Sequence, residues 1–330
     1  MNWDMMGHEW AVGLLKEHVA GGGLRHAYLF TGPQGIGRRT LALRMAQALN
    51  CLQPPEPGEP CGNCRVCKQI ARMEHPDLAV EQAEQAGGIL KVDQIRDLQR
   101  SLSLAPYDAR YRVALLMRFE EANPNAANAL LKTLEEPPPQ VILILTADSP
   151  ESLLPTIVSR CEVVRLRPLP LELVRQGLQD RWELSVEEAD LLAHISGGRP
   201  GYALRLHVEP ESMAQRIAWL NDHQQMLSAN RVQRFAYAET LSKDKDALRS
   251  ALLVWISLWR DVLLCAAGSN SPFANLDRAE EIGSMADHFG LDAAHQTIAR
   301  LEHTLDLLDR NANTRLAAEV MLLDLPVIRN

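Results

Sequence analysis

Short, wholly apolar runs alternate with helical periodicities in the first half of the chain, and helical periodicity alone fills the second half. Residues 8–21 carry the amphipathic helical pattern, and Ala27, Tyr28, Leu29 and Phe30 read as a short buried strand. Gly32, Pro33, Gln34, Gly35, Ile36 and Gly37 then interrupt the chain, and Leu41, Leu43, Met45 and Leu49 predict a helix over 38–50. The Pro- and Cys-rich stretch 51–67 is expected to hold no regular structure. A helix is predicted over 93–103, with the Asp93 carboxylate as its N-cap. An apolar strand over 113–117, a helix over 125–135, a second apolar strand over 141–145, a short helix over 153–159 and a fourth strand over 162–166 follow. Continuously apolar strands alternating with helices predict an α/β domain, a parallel sheet covered on both faces.

After Pro168, Leu169 and Pro170 the strand signal stops. Helices are predicted over 171–181 and 186–195, with a turn at Gly197, Gly198, Arg199, Pro200 and Gly201 and a third helix from about 202. The remainder is helical by period, with breaks near 228–230, 242–245, 268–274 and 310–313. The division expected is an α/β domain over 1–168, a small helical domain over 169–208 and an all-α domain over 209–330. Leu252, Trp255, Ile256 and Trp259, and again Leu301, Leu305 and Leu308, recur at helical spacing and read as core.

Composition narrows the function. Of 330 residues, 46% are hydrophobic and 23% charged, which suits a folded chain with sizeable cores and excludes a disordered one. The net charge of −8 argues against coating nucleic acid as the main task, because that work needs a basic face. No apolar run reaches membrane-spanning length, and Met1, Asn2, Trp3 and Asp4 lack the basic start of a secretion signal, so a cytoplasmic protein is expected.

Strand, glycine turn and helix form the context of a phosphate-binding loop, whose pattern ends in Gly-Lys-Ser/Thr. Here Gly32, Gly35 and Gly37 remain, but Arg38 stands at the lysine position and Arg39 at the hydroxyl position. Arginine can meet phosphate, although its planar fork differs in reach from an ammonium. Arg39 offers no oxygen to a magnesium ion, and Thr40, which has one, lies about 100° further round the helix. The strand 113–117 should end on an acidic pair, yet it runs into Met117 and Arg118, with Glu120 and Glu121 only after them. Both departures remove magnesium chemistry, so ATP binding here is doubtful and the loop reads most simply as a strand–helix connection. The competing reading is an active ATPase that uses Arg38 with Glu120 or Glu121.

Cys51, Cys61, Cys64 and Cys67 crowd into 17 residues as C-x9-C-x2-C-x2-C. Four thiolates at this spacing suit a tetrahedral structural zinc with no open coordination position, in a module over about 51–75. An iron–sulfur cluster, or no metal at all, are the alternatives, as C-x2-C-x2-C also occurs in ferredoxin-like runs. A zinc-dependent nucleic-acid module is a third functional reading. Cys161 and Cys265 stand apart and are expected to be small buried side chains.

The run Asn-Ala-Leu-Leu-Lys-Thr-Leu-Glu-Glu-Pro-Pro over 128–138 and Leu-Pro-Thr-Ile-Val-Ser-Arg-Cys over 154–161 closely resemble the bacterial clamp-loader family of AAA+ proteins. The resemblance extends from His26 through the cysteine module to the run beginning at Asn311. It implies an AAA+ fold with a small helical lid domain and a C-terminal helical collar. Aligned on Asn128, the family's acidic pair falls on Met117 and Arg118, whereas the family's motor subunits keep both that pair and Lys-Thr. A non-motor member without catalysis of its own is therefore implied. Its partners would be gamma/tau motors and a delta subunit in a heteropentamer that meets the sliding clamp and primer-template DNA. In the family, the arginine of Ser-Arg-Cys, here Arg160 after Ser159, is a finger offered to the neighbour's γ-phosphate; the tripeptide alone is equally met by a surface ion pair. Thr146 falls where a polar sensor stands, though it would also suit a strand end. The lid's nucleotide-sensing arginine would fall at Gly201, with Arg199 and Arg205 out of register. Leu130, Leu131 and Leu134 read as core, and Lys132, Glu135 and Glu136 as an exposed face.

Overall fold

Five strands pair into one parallel sheet among the described residues: β1 (Ala27–Thr31), β2 (Leu78–Glu81), β3 (Arg112–Leu116), β4 (Val141–Ala147) and β5 (Glu162–Arg165). The strand order is β2-β3-β4-β1-β5, with Tyr28 opposite both Ile144 and Glu162. This computed structural model describes residues 3–84, 88–310 and 312–328. Four of the strands match the sequence reading. β2 was not expected: only Leu78 of its four residues is fully buried, so it lacks the run of buried residues that marks β1, β3 and β4.

Strand residues alternate between the two faces, so each face has its own core. On one face Tyr28, Phe30, Val113, Leu115, Ile142 and Ile144 pack with the helices α1 (Glu9–Gly21), α2 (Arg38–Asn50) and α3 (Arg65–Ala71). On the other, Leu29, Leu116, Leu143 and Leu145 meet α4 (Val92–Leu102), α5 (Pro124–Glu135) and α6 (Pro155–Val158). Asn123 caps α5 by accepting the Ala126 N–H at 2.8 Å, ahead of a proline suited to the first helical position.

Two local expectations are corrected. The stretch 51–67 is not wholly irregular, because α3 starts at Arg65 with the Cys64 sulfur accepting the Cys67 N–H at its N-cap. Asp93 is not a cap: α4 begins at Val92, the Gln94 side chain accepts the Lys91 N–H at 3.1 Å, and Asp93 pairs with Arg96 within the helix. The short helix read over 153–159 is the four-residue α6, preceded by a 3-10 turn, Pro150–Ser152, each started by a proline.

The chain divides into two compact units, Met1–Gly177 with Gly198–Tyr202, and Leu178–Gly197 with Ala203–Asn330. By their contacts, residues 169–208 are shared between the two. They carry α7 (Leu171–Trp182), α8 (Val186–Ser196) and α9 (Pro200–Val208), the last starting two residues earlier than expected because Pro200 suits a first helical position. The second unit continues with α10 (Pro210–Ser228), α11 (Arg231–Leu241), α12 (Lys245–Ala266), α13 (Ala279–Asp309) and α14 (Thr314–Asp324). The breaks near 228–230, 242–245 and 268–274 fall between helices as read; the break at 310–313 includes Asn311, which lies outside the described residues. Left-handed Gly290 adds a kink inside α13.

Leu252, Trp255, Trp259, Leu301 and Leu308 centre the second unit's core, with Ile256 and Leu305 packed against it. Its large rings keep polar partners: the Trp255 indole N–H donates to the Trp219 carbonyl and that of Trp259 to His223 Nε2. Buried Arg234 closes the C-terminal end of α14 by donating to the carbonyls of Leu322, Leu325 and Pro326. Among the described residues no helix is long and apolar enough to cross a membrane.

Candidate functional site

The glycine loop leads from the end of β1 into α2, and the chain's own residues fill the space against it. Gly35 is left-handed (φ 83°), and a Cβ there would lie 2.8 Å from the Tyr202 amide nitrogen. The Gly201 N–H donates to the Gly35 carbonyl at 2.8 Å, and a Cβ on Gly201 would come within 2.9 Å of that oxygen. A side chain is thus excluded at the position where the lid's sensor arginine would fall. Arg199 stacks on the Tyr202 ring instead, with its guanidinium carbon 4.5 Å from the centroid, and Arg205 lies exposed further along α9. From the N-terminal side, His8 Nε2 donates to the Ile36 carbonyl at 3.2 Å, and the Met5 methyl lies 3.3 Å from where a Gly37 Cβ would stand.

Arg38, the first residue of α2, turns inward. Its side chain is only 8% exposed, and Nη2 pairs with Asp148 Oδ1 at 2.8 Å, just past the end of β4. Gly32 adds a backbone bond to the same residue, its N–H meeting the Asp148 carbonyl at 3.1 Å. The loop's cation is therefore answered by a carboxylate from within the chain. Arg39 points elsewhere, donating to the Met73 sulfur at 3.5 Å, and Thr40 is exposed on the helix surface.

The acidic positions are equally altered. β3 stops at Leu116, Met117 is buried, and Arg118 adopts a left-handed backbone (φ 50°) before a 3-10 turn, Phe119–Glu121. The strand does not extend to Glu120, yet the turn brings that carboxyl within the fields of Asp148 and Arg38. Burial, reinforced by the Asp148 charge, pushes the Glu120 carboxyl up to about 7. Arg118 pairs with Glu121 at 3.3 Å, and its N–H donates to the Thr146 hydroxyl at 2.9 Å. Thr146 lies within β4, not at its end, and is buried. Asp148, Met5 and Tyr202 were not singled out by sequence reasoning. An acid directly after an apolar strand that ends beside a glycine loop is the signal that could have found Asp148.

The four cysteines converge. Cys51, Cys61, Cys64 and Cys67 have sulfurs all within 4.8 Å of one another, close to the ~3.8 Å sulfur spacing of a tetrahedral zinc with bonds of about 2.3 Å. N–H groups of Cys61, Cys64 and Cys67 point at the sulfurs of Cys51, Cys61 and Cys64 at 3.3–3.4 Å, which favours thiolates. Burial opposes ionisation at Cys61, but donors from Cys64 and Asn63 outweigh it and bring the thiol down to about 6, whereas burial pushes Cys51 and Cys67 up. The module is anchored on both sides: the Trp3 indole donates to the Gly58 carbonyl, Lys16 pairs with Glu59, and buried Gln47 donates to the Cys67 carbonyl at 2.7 Å. These donors fit a metal ion with four protein ligands. Cys161 and Cys265, expected to be buried, are half-buried, each packed at a core margin.

Arg160 follows α6 on the surface. Its Nη1 donates to the Thr156 carbonyl at 2.8 Å and its Nη2 to Glu135 Oε1 at 2.7 Å, while the Ser159 hydroxyl donates to the same carbonyl at 3.2 Å. Leu130 and Leu134 are buried, Leu131 packs beside them, and Lys132, Glu135 and Glu136 are exposed, as read.

With this geometry, the likeness to known proteins is specific. A family model described as DNA polymerase III, delta subunit, matches residues 7–170, and its C-terminal counterpart matches 210–326. The chain is 44% identical over 187 residues to DNA polymerase III subunit delta' of Pseudomonas aeruginosa, covering 55% of this chain and 56% of that protein. It is 29% identical to the delta' subunit of Bacillus subtilis, covering 82% and 81%. Subunit tau of Escherichia coli is 35% identical over 53% of this chain but 27% of its own length. The chain thus spans little more than half of the first of these relatives and four fifths of the second.

Proposed function

The chain belongs to the DNA polymerase III delta-subunit family, beside the subunits called delta-prime, and from that premise we propose that it is a stator of the bacterial sliding-clamp loader, lending an arginine to a neighbour's ATP site. It would assemble in the cytoplasm with gamma/tau motor subunits and a delta subunit as a heteropentamer, and reach the clamp and primer-template DNA through that complex. Its functional division would be an AAA+ domain over 1–168, a lid over 169–208 and a collar over 209–330.

The observation that carries the reading is the phosphate loop closed by its own chain. An anion arriving at Gly32–Gly37 would have to displace Asp148 from Arg38 and would meet Glu120 beside it. Met117 and Arg118 supply no carboxylate for magnesium where the motor subunits keep an acidic pair. Arg160, by contrast, is on the surface: it pairs with Glu135, but its side chain is about a third exposed, so a neighbour can reach it. The collar role draws support from an apolar groove of about 460 Å³ between α13 and α14, lined by Leu307, Leu316, Val320 and Met321. The cysteine module would hold a structural zinc, which when bound neutralises and ties together the four thiolates.

A second reading, an ATPase acting through Arg38 and Glu120, is favoured by the nearness of these two groups alone. Mg-ATP with the purified chain separates the two: a stator gives no turnover. In a loader reconstituted with Arg160→Ala, assembly should persist while clamp loading falls roughly tenfold or more, since an arginine finger is worth about 10³–10⁵ at a single site in the better-studied GTPases. Undiminished loading would refute the finger.

A further inference from the structure

A finger is useful only if its guanidinium arrives in position, and in this chain two acceptors fix it. The Thr156 carbonyl, one turn back along α6, takes one N–H of Arg160 at 2.8 Å. The carboxylate of Glu135, the last residue of α5, takes another at 2.7 Å. Two of the five guanidinium donors are thereby committed to the chain's own surface, and three remain to meet a ligand.

The pair contributes little to folding. The side chains are 35% and 52% exposed, and ion pairs in such settings add little to stability. Its effect on the arginine's freedom is larger. A free arginine has many rotamers open to it, and a mobile finger loses that freedom only on meeting the phosphate. A guanidinium already anchored along one edge meets the neighbour without that loss, and electrostatic catalysis depends on such preorganisation. The C-terminal end of α5, where backbone carbonyls collect partial negative charge, adds to the attraction.

We propose that Glu135 is a positioning residue for Arg160, holding the guanidinium in the orientation in which it serves the adjacent subunit. This rests on the finger reading given above. The test uses the reconstituted loader with tau, delta, clamp and primed DNA. Glu135→Ala should slow clamp loading roughly tenfold at saturating ATP, with assembly and the ATP concentration for half-maximal rate unchanged, as expected for a misplaced rather than a missing group. Glu135→Gln keeps an acceptor oxygen and should recover the rate to within about threefold. The double variant Glu135→Ala with Arg160→Ala should be no slower than Arg160→Ala alone, because one residue acts through the other. If Arg160→Ala slows loading while Glu135→Ala does not, or if the two losses multiply, the positioning role falls and the finger stands. A faster Glu135→Ala loader would also overturn it, by making the carboxylate a restraint. If Arg160→Ala itself has no effect, both readings fall together.

Discussion

Among single residues, the glycine loop is where the chain departs most from the phosphate-loop pattern. The glycines keep the turn, but Arg38 lies on Asp148 and Gly201 presses on Gly35. Glu120 is the residue this arrangement strains. Burial and Asp148 hold its pKa near 7, above the usual carboxylate value of 4.5. The folded chain therefore keeps a proton that the unfolded chain releases near pH 4.5, and stability declines as pH rises from there through 7. Glu120→Gln should be more stable than the parent at pH 8, by about 1–3 kcal/mol, with the gap closing at pH 5. Denaturant titrations at the two pH values measure this, and an equal gap at both would remove the assignment.

At the scale of elements, the helical unit carries buried polar groups whose state is fixed by packing. His223 on α10 is fully buried, accepts the Trp259 indole N–H, and is held down to about 3 by burial and by the charge of Arg234. Unfolded, it takes a proton near pH 6.5; folded, it does not until far lower pH. Acidification from 6.5 toward 3 should thus weaken the fold by up to about 1.4 kcal/mol per pH unit. His223→Gln, which keeps an acceptor for the indole, should show a shallower loss of urea resistance between pH 7 and 5; parallel profiles would exclude the histidine as the cause. Elements also mark where sequence patterns give out. β2 is short and half-exposed, so neither periodicity nor an apolar run marks it. α3 emerges from a Pro- and Cys-rich stretch because a sulfur, which propensities ignore, caps it. Buried, regular elements such as β4 and α5 were legible because both faces or a full apolar stripe must be satisfied.

Across the molecule, the cysteine module ties the loop after α2 back onto the N-terminal segment, α1 and α2 through Trp3, Lys16 and Gln47. Purified protein should carry one equivalent of zinc and be colourless. Stripping the metal with a chelator, or replacing Cys61 and Cys64 with Ser, should lower the melting temperature and expose the module to protease while the sheet persists. An iron–sulfur absorption band, or unchanged melting without metal, would count against zinc.

The parallel sheet, the helical second half, the four-cysteine spacing and the arginines and methionine at the phosphate-loop positions were legible in the chain alone, because periodicity and the identity of side-chain atoms are local properties. Only the folded structure decided that Arg38 is spent on Asp148, that Gly201 lies too close to the loop to bear a side chain, and that Glu135 holds Arg160. Each of these is a meeting of residues from separate elements, set by how strands and helices pack, which no spacing along the chain encodes.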